Sequence, residues 1–422
     1  MPSSLTLSQW LCLLETRHPL TIDMGLDRVS AVWQRMGEPR PAARVITVAG
    51  TNGKGSTTAC IFSSLSALGF RCAAYTSPHL FHYNERVQVL GAMASDQDLV
   101  SAFEQIEAAR GDISLSYFEF GTLAAFVVMA KNALDYAVLE VGLGGRLDAV
   151  NILSADLAVI SPIGLDHQDY LGHDRETIGA EKAGIIRAGR TVICGETEPP
   201  QSVLQRAGEL GSPVYRLGRE FTITTHARGC TWRQGDTILE LPLPVLQGAH
   251  QVNNMATAVA AVVAVYPACL EQQQLLGRGL RSVRLPGRLQ QHESCKKVWL
   301  DVGHNPHAAQ AVAEALRGLG LRPGVCVLGM LRDKDARAVA EMLDSCVQAW
   351  YCAGLEGERG RSGAALAREV ASVSSRDRVK EFRDVPTALR AALEHTKDGE
   401  SILVFGSFVS AGQAAAFLNG NC

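Results

Sequence analysis

Lys54 is the residue on which a chemical reading of this sequence turns. It lies between Gly53 and Gly55, with Gly50 upstream and Ser56 and Thr57 directly after. Closely spaced glycines let backbone N–H groups approach an anion without obstruction by a Cβ, and a lysine adds a mobile positive charge. The chemistry that suits such a cluster is phosphate binding. Other polar residues stand just past apolar stretches. Ser77 follows 71–75, Glu140 closes 135–140, Asp166 and His167 follow 157–161, and Asp301 and His304 follow a run that starts at Lys297. A carboxylate at the C-terminal end of a parallel strand, beside a phosphate loop, is where nucleotide enzymes bind Mg²⁺.

Elements of a particular kind must position these residues. Residues 45–49 are mostly apolar and β-branched, which predicts a buried strand. A helix is expected from near Thr57 to about Leu68, with Gly69 to end it. Strand, glycine turn and helix start together aim N–H groups at one spot. The spacing departs from the general phosphate-loop pattern. Two residues rather than four separate Gly50 from Gly53, and Gly55 stands between Lys54 and Ser56. An ordinary glycine turn with a surface lysine is the competing explanation, and the flanking strand and helix argue against it.

Strands and helices alternate along most of the chain, which predicts an α/β architecture. Helices are expected at 8–15, from Ser95, up to about Ala130 and over 175–182. The stretch 214–241 reads as short strands, with Gly235 and Asp236 as a hairpin turn. At Leu285, Pro286, Gly287 and Arg288, Pro and Gly end the helical region before them and predict a domain boundary. The division expected is 1–286 and 287–422. Strands then restart at 297–301, 324–329, 348–352 and 401–405, as in a second doubly wound domain.

Hydrophobic residues make up 47% of the 422 and charged residues 20%, a balance that allows large globular cores. A net charge of −3 gives no bulk electrostatic case for nucleic acid or an anionic membrane. Eleven dispersed cysteines without a C-x-x-C pair read as reduced thiols, the pattern of a cytoplasmic protein. No basic residue precedes Arg17, so the N-terminus does not read as a secretory signal. The longest apolar run, 256–266, falls short of the roughly 20 residues that a membrane span needs. Nothing in the pattern demands an oligomeric partner, and a monomer is expected.

The run Gly50, Thr51, Asn52, Gly53, Lys54, Gly55, Ser56 resembles the ATP loop of the Mur-ligase superfamily, and in particular of bifunctional dihydrofolate synthase/folylpolyglutamate synthases. Further segments resemble the same family in the same order over nearly the whole chain. The resemblance implies an N-terminal P-loop NTPase-like domain that binds ATP and pterin, and a C-terminal Rossmann-like glutamate-ligase domain. ATP binding would fall to Thr51, Asn52, Gly53, Lys54, Gly55, Ser56, Thr57, Asn254, Arg288 and Asp301. Ser77, Glu140 and His167 would hold Mg²⁺. Dihydropteroate would contact Asp23, Met24, Gly25 and Leu26, then Ser116, Tyr117, Phe118 and Glu119, and finally Leu147, Asp148 and Ala149. From the residues alone, Asp23 reads as a cap and Glu119 as a helix-start carboxylate.

In the family the lysine matching Lys182 is carboxylated, which needs a neutral amine. Lys54, Lys182, Asp301 and His304 would carry catalytic roles. Gly303 stands where the family often has Ala. The segments 332–335 and 405–408 also resemble family segments, without assignable chemistry. The implied reaction is ATP-driven amide formation with L-glutamate through an acyl phosphate, on dihydropteroate and on folates. Two alternatives compete with it: a cell-wall muramyl amino-acid ligase, and a non-catalytic nucleotide switch. The segments 21–28 and 116–119 favour a pterin substrate over the first. The second would commonly carry Asn-Lys-x-Asp, which this sequence lacks.

Overall fold

The computed structural model describes residues 5–20, 22–397 and 399–420. The chain forms two compact units. One comprises residues 1–163, 171–243 and 253–283; the other comprises 164–170, 244–252 and 284–422.

The first unit is built on an eight-stranded sheet. Its strands are β1 (Arg44–Ala49), β2 (Cys72–Tyr75), β3 (Val87–Val89), β4 (Ala92–Met93), β5 (Tyr136–Glu140), β6 (Leu157–Ile160), β7 (Val192–Cys194) and β8 (Val214–Arg216). They lie in the order β4-β3-β2-β5-β1-β6-β7-β8. β3 and β4 form an antiparallel edge, and the other pairs are parallel. β1 is central, paired with β5 on one side and β6 on the other. Its C-terminal end is therefore a topological switch point, where open α/β sheets bind ligands. The register sets Val48 beside Glu140 and Ala49 beside Ile160, so the chain segments that leave these three strands start side by side.

Helices Leu7–Arg17 and Asp27–Arg35 pack with Asp96–Arg110 and Tyr117–Ala130 in one apolar layer. Trp10, Phe103 and Phe120 interlock there, with ring centroids 5.5–6.1 Å apart. Trp33 meets Phe126 edge-on at 5.5 Å. This packing fixes both ends of segment 22–26. Thr21, which opens the pterin-like segment read from sequence, lies outside the described residues.

A separate three-stranded antiparallel sheet follows, from β9 (Thr222–His226), β10 (Gly229–Gln234) and β11 (Thr237–Leu241). Gln234 faces Thr237 across the expected two-residue turn, and Gly235 takes a positive φ of 56°. The helix Ala249–Val265 then begins among residues of the second unit and continues in the first.

The second unit carries a six-stranded sheet: β12 (Gln290–Gln291), β13 (Val298–Leu300), β14 (Val325–Leu328), β15 (Ala349–Ala353), β16 (Val379–Phe382) and β17 (Ile402–Phe405). The order is β12-β13-β17-β14-β15-β16, parallel apart from β12. Alternate side chains feed two apolar layers. Leu403 and Phe405 enter one with Trp350 and Leu316; Ile402 and Val404 enter the other with Tyr351 and Leu389. A parallel sheet covered on both faces explains the near-continuous apolar strands.

Two readings of the sequence need correction. The helix after the glycine turn begins at Lys54 rather than Thr57 and runs to Ala67. Gly55 reads as a helix breaker but sits in the first turn, where the N–H groups have no intrahelical partners in any case. The second unit also holds β12 and β16, which lack the apolar runs of the other strands because they lie at its edges.

Candidate active site

The glycine turn follows directly from β1. Gly50 has φ 145° and Gly53, which caps the helix start, has φ 83°. Both values disfavour any side chain. Space is also taken. A Cβ on Gly50 would lie 1.9 Å from Ser161 Oγ, and one on Gly53 would lie 2.4 Å from Asn254 Oδ1. These glycines thus admit protein neighbours as closely as any ligand. Thr51 and Asn52 donate their N–H groups to the Pro162 carbonyl at 2.9 and 3.2 Å. That fixes the loop against the end of β6.

Two ammonium groups meet at one carbonyl. Lys54 Nζ donates to Gly50 O at 3.1 Å and to Thr51 O at 3.2 Å. Lys182, buried in helix Arg175–Ala183, donates to the same Gly50 O at 2.9 Å. Thr57 Oγ1 and Thr58 Oγ1, in the first turns of the loop helix, are buried without a hydrogen-bond partner among the described residues. Orphaned hydroxyls, lysines and a helix N-terminus together form a donor-rich site fit for a polyphosphate.

Glu140, at the end of β5, is 4% exposed, and its Oε2 accepts the Ser77 N–H at 3.2 Å. The Ser77 hydroxyl and the Glu140 carboxylate are hard oxygen donors of the kind a small divalent cation takes. Among the described residues, no three or more His, Cys, Asp or Glu side chains gather as a metal cluster. His167, the third residue read from sequence as a ligand, belongs to the second unit.

The three dihydropteroate segments read from sequence come together within the first unit. Arg28 links the first two, reaching Asp23 Oδ2 at 2.8 Å and Glu119 Oε1 at 3.1 Å. The Phe118 ring lies where a Cβ on Gly142 would stand, 2.5 Å from its nearest atom. Met24 Cε approaches Gly144 in the same way, at 3.3 Å. Ser116 and Glu119 also form a capping box at the start of helix Tyr117–Ala130. Glu119 is therefore committed on both oxygens, to Arg28 and to the Ser116 N–H.

Asp148 is buried, and its carboxylate accepts the N–H groups of Leu143 at 2.8 Å and Val150 at 3.0 Å. Burial pushes its pKa up to about 6, against the opposing pull of those N–H groups and of the Lys54 charge. The glycine-rich turn 142–145, which superficially imitates a dinucleotide fingerprint, closes against Lys182. A Cβ on Gly145 would lie 3.0 Å from Lys182 Cα.

In the second unit, Asp301 is buried at the end of β13. It accepts the Leu289 N–H at 2.8 Å and the Gly303 N–H at 2.7 Å, and burial raises its pKa against those bonds and the nearby Arg288 charge. The Arg288 guanidinium lies 5.2 Å over the Phe408 ring. Gly303 is tightly enclosed, since a Cβ there would lie 2.7 Å from the Phe405 ring. His304 Nδ1 donates to Val302 O at 3.0 Å, and its Nε2 lies 3.4 Å from Asp166 Oδ2.

Asp166 gathers further partners that sequence reasoning left unassigned. Lys334 Nζ lies 2.5 Å from its Oδ1 and 3.2 Å from His167 Nε2, and Asn305 Nδ2 donates to its Oδ2 at 3.1 Å. Burial alone would raise the Asp166 pKa. The His304 bond and the charges of His304, Lys334 and His167 outweigh it and hold the carboxyl far below its usual range. The one signal for Lys334 in the sequence was the polar segment 332–335 after an apolar strand.

The Mur ligase middle domain model matches residues 48–262, and the Mur ligase glutamate ligase domain model matches 287–408. The chain is 44% identical to the dihydrofolate synthase/folylpolyglutamate synthase of Escherichia coli (strain K12), over 95% of this chain and 93% of that protein. It is similar to a structure of E. coli FolC in complex with DHPP and ADP, with a TM-score of 0.92, 41% identity and full coverage of both chains. It is also similar to a bifunctional folylpolyglutamate synthase/dihydrofolate synthase from Yersinia pestis complexed with AMPPNP and Mn ion. That match has a TM-score of 0.89 and 41% identity, over 99% of this chain and 100% of the other.

Two outcomes follow from the geometry. Gly53→Ala meets both the φ of 83° and the Asn254 amide, so nucleotide affinity measured by calorimetry should fall at least about tenfold, from a backbone cost of about 1–2 kcal/mol before any clash. The second concerns pH. The folded pKa of Asp148, about 6, lies above its model value of 3.8. Its contribution to stability is therefore full below about pH 4 and is lost as pH rises through about 6. Urea unfolding of wild type and Asp148→Asn should show the wild type losing up to about 3 kcal/mol relative to the variant between pH 4 and pH 7. A pH-independent difference would mean that the buried carboxyl does not titrate there.

Proposed function

Because this chain belongs to the Mur ligase family, within its dihydrofolate synthase/folylpolyglutamate synthase branch, we propose that the glycine-loop site binds ATP and drives glutamate ligation. The protein is an ATP-dependent amide-forming ligase. It joins L-glutamate to dihydropteroate, forming dihydrofolate, and to the γ-carboxylate of folates, forming folylpolyglutamates. The observation that carries the assignment of the site is the meeting of Lys54 and Lys182 at the Gly50 carbonyl, with Glu140 in register beside β1.

A carboxylate is a poor electrophile, so it must be activated. The substrate carboxylate attacks the γ-phosphorus of ATP, and ADP leaves. The amine of L-glutamate then attacks the acyl carbon, inorganic phosphate leaves, and the amine gives up a proton. Lys54 and the N–H groups at the helix start neutralise the phosphate charge that would otherwise repel the incoming carboxylate. Thr51, Asn52, Gly53, Gly55, Ser56 and Thr57 shape that loop, with Asn254 beside it. In this assignment Ser77, Glu140 and His167 would hold a divalent cation, which we take to be Mg²⁺, and its charge would screen the two anions.

Asp23 to Leu26, Ser116 to Glu119 and Leu147 to Ala149 bind dihydropteroate. Glu119 acts there by anchoring Arg28, since both its oxygens are engaged. Lys182 is assigned as carboxylated, and intact-protein mass of active enzyme tests that directly. Arg288, Asp301 and His304 serve the phosphate groups from the second domain. We place the functional division at 286/287, so that 1–286 binds ATP and pterin and 287–422 is the glutamate-ligase domain. The boundaries of the two matching domain models support it.

Small-molecule substrates account for every site assigned. We propose a cytoplasmic monomer that binds neither nucleic acid nor membrane. A net charge of −3 supports this, and among the described residues no helix is long and apolar enough to cross a membrane.

Phosphate release with ATP and L-glutamate, compared between dihydropteroate and tetrahydrofolate, should show turnover with each and an amide product by mass. Lys54→Ala should keep its thermal transition while kcat/KM drops by at least about 10²- to 10³-fold, the scale of losing one transition-state charge donor. Near-normal turnover in the folded variant would refute the role given to Lys54.

A further inference from the structure

We propose that His18 and Ser114 are positioning residues for dihydropteroate, holding the segment 22–26 in its binding shape through Asp23. The proposal rests on the reading that Asp23 to Leu26 contact that substrate.

The segment has no helix or strand of its own. It links helices Leu7–Arg17 and Asp27–Arg35, and Leu26 caps the second without a side-chain hydrogen bond. Asp23 is where it is tied down. His18 Nε2 lies 3.1 Å from Asp23 Oδ2, and Arg28 NH1 lies 2.8 Å from the same oxygen. Arg28 NH2 reaches the Asp23 carbonyl at 3.1 Å and Glu119 at 3.1 Å.

On the far side of the imidazole, His18 Nδ1 lies 2.8 Å from Ser114 Oγ. A carboxylate only accepts, so Nε2 carries the hydrogen towards Asp23, and Nδ1 is left to accept the Ser114 hydroxyl. The His18 side chain is 7% exposed, so its ring is held by packing as well as by both bonds. Glu119 is 3% exposed and braces Arg28 from below. The result is one chain of contacts, Ser114–His18–Asp23–Arg28–Glu119, drawn from two separate stretches of sequence, 18–28 and 114–119.

Two donors on Oδ2 set the rotation of the Asp23 carboxylate. With those donors on Oδ2, the second carboxylate oxygen is the one suited to accept a ligand N–H, such as those of a pterin ring. Loss of His18 leaves one donor on Oδ2 and frees the carboxylate to rotate. Binding must then pay the entropy of ordering the segment.

Steady-state kinetics on the full chain tests this. His18→Ala should raise KM for dihydropteroate about tenfold, with kcat and the KM for ATP within about twofold of wild type. Ser114→Ala should shift the same constant in the same direction by less, and His18→Gln, whose amide can still donate to Asp23, should recover most of the loss. Asp23→Ala separates the two levels of the argument. If Asp23→Ala raises KM but His18→Ala does not, the positioning role is overturned and the substrate segment stands. If Asp23→Ala leaves KM unchanged, the reading of the segment falls and this proposal falls with it. A uniform loss of kcat with every substrate, alongside a lowered melting temperature, would make His18 merely structural and overturn the proposal. Should His18→Ala fail to fold, Ser114→Ala decides: a raised KM supports the role and an unchanged one overturns it.

Discussion

The carbonyl of Gly50 is the point that the first unit is arranged around. It ends the central strand, and two lysines from different helices donate to it, Lys54 at 3.1 Å and Lys182 at 2.9 Å. Two ammonium groups this close repel each other, and added negative charge lowers that repulsion. A triphosphate at the loop would supply that charge, and carboxylation would convert one of the two cations into an anion. Both chemistries assigned to the site therefore relieve the same electrostatic tension, and neither needs a further group to do so.

The segments that hold Met24, Phe118 and Asp148 are tied to the same point through Lys182. Its Cα lies where a side chain on Gly145 would need to be, and Gly145 belongs to the turn whose N–H groups Asp148 collects. Phe118 closes over Gly142 in that turn, and Met24 approaches Gly144. A displacement of Lys182 would thus reach both the glycine turn after β1 and the turn 142–145. The aromatic layer of Trp10, Phe103 and Phe120 holds the other boundary. Packing of a dry, rigid layer behind a bonded loop is how weak individual contacts acquire directional precision.

Much of this was legible from residue types. Val45 to Ala49 could hardly be anything but a buried strand, and glycines at 50 and 53 beside a lysine admit few conformations. Glu140 was legible because a carboxylate ending an apolar run needs a reason to be there. The helix starts at Lys54, three residues before the apolar stretch that announces it, because Gly55 costs little in a first turn. The bonding of Glu119 was hidden for a different reason. Its capping partner Ser116 is three residues away and visible, but Arg28 is 91 residues away in sequence, and nothing local announces it. Asp166 and Lys334, 168 residues apart, pose the same difficulty on a larger scale. Long-range ion pairs leave no periodic trace, whereas strands, turns and caps do.

His167 shows how such a pair constrains chemistry. The residue takes a φ of 50°, uncommon outside glycine, so the backbone there is held in place at some cost. Its Nε2 lies 3.2 Å from Lys334 Nζ, and an ammonium can only donate, so that nitrogen offers its lone pair to Lys334. One lone pair cannot serve two acids. If His167 ligates through Nε2, Lys334 must give up this bond and settle on Asp166, already 2.5 Å away and kept ionised by its neighbours. If it ligates through Nδ1 instead, the Lys334 bond can persist and orient the ring. In either case Lys334 keeps its bond to the Asp166 carboxylate, so its ammonium stays paired whichever nitrogen His167 commits.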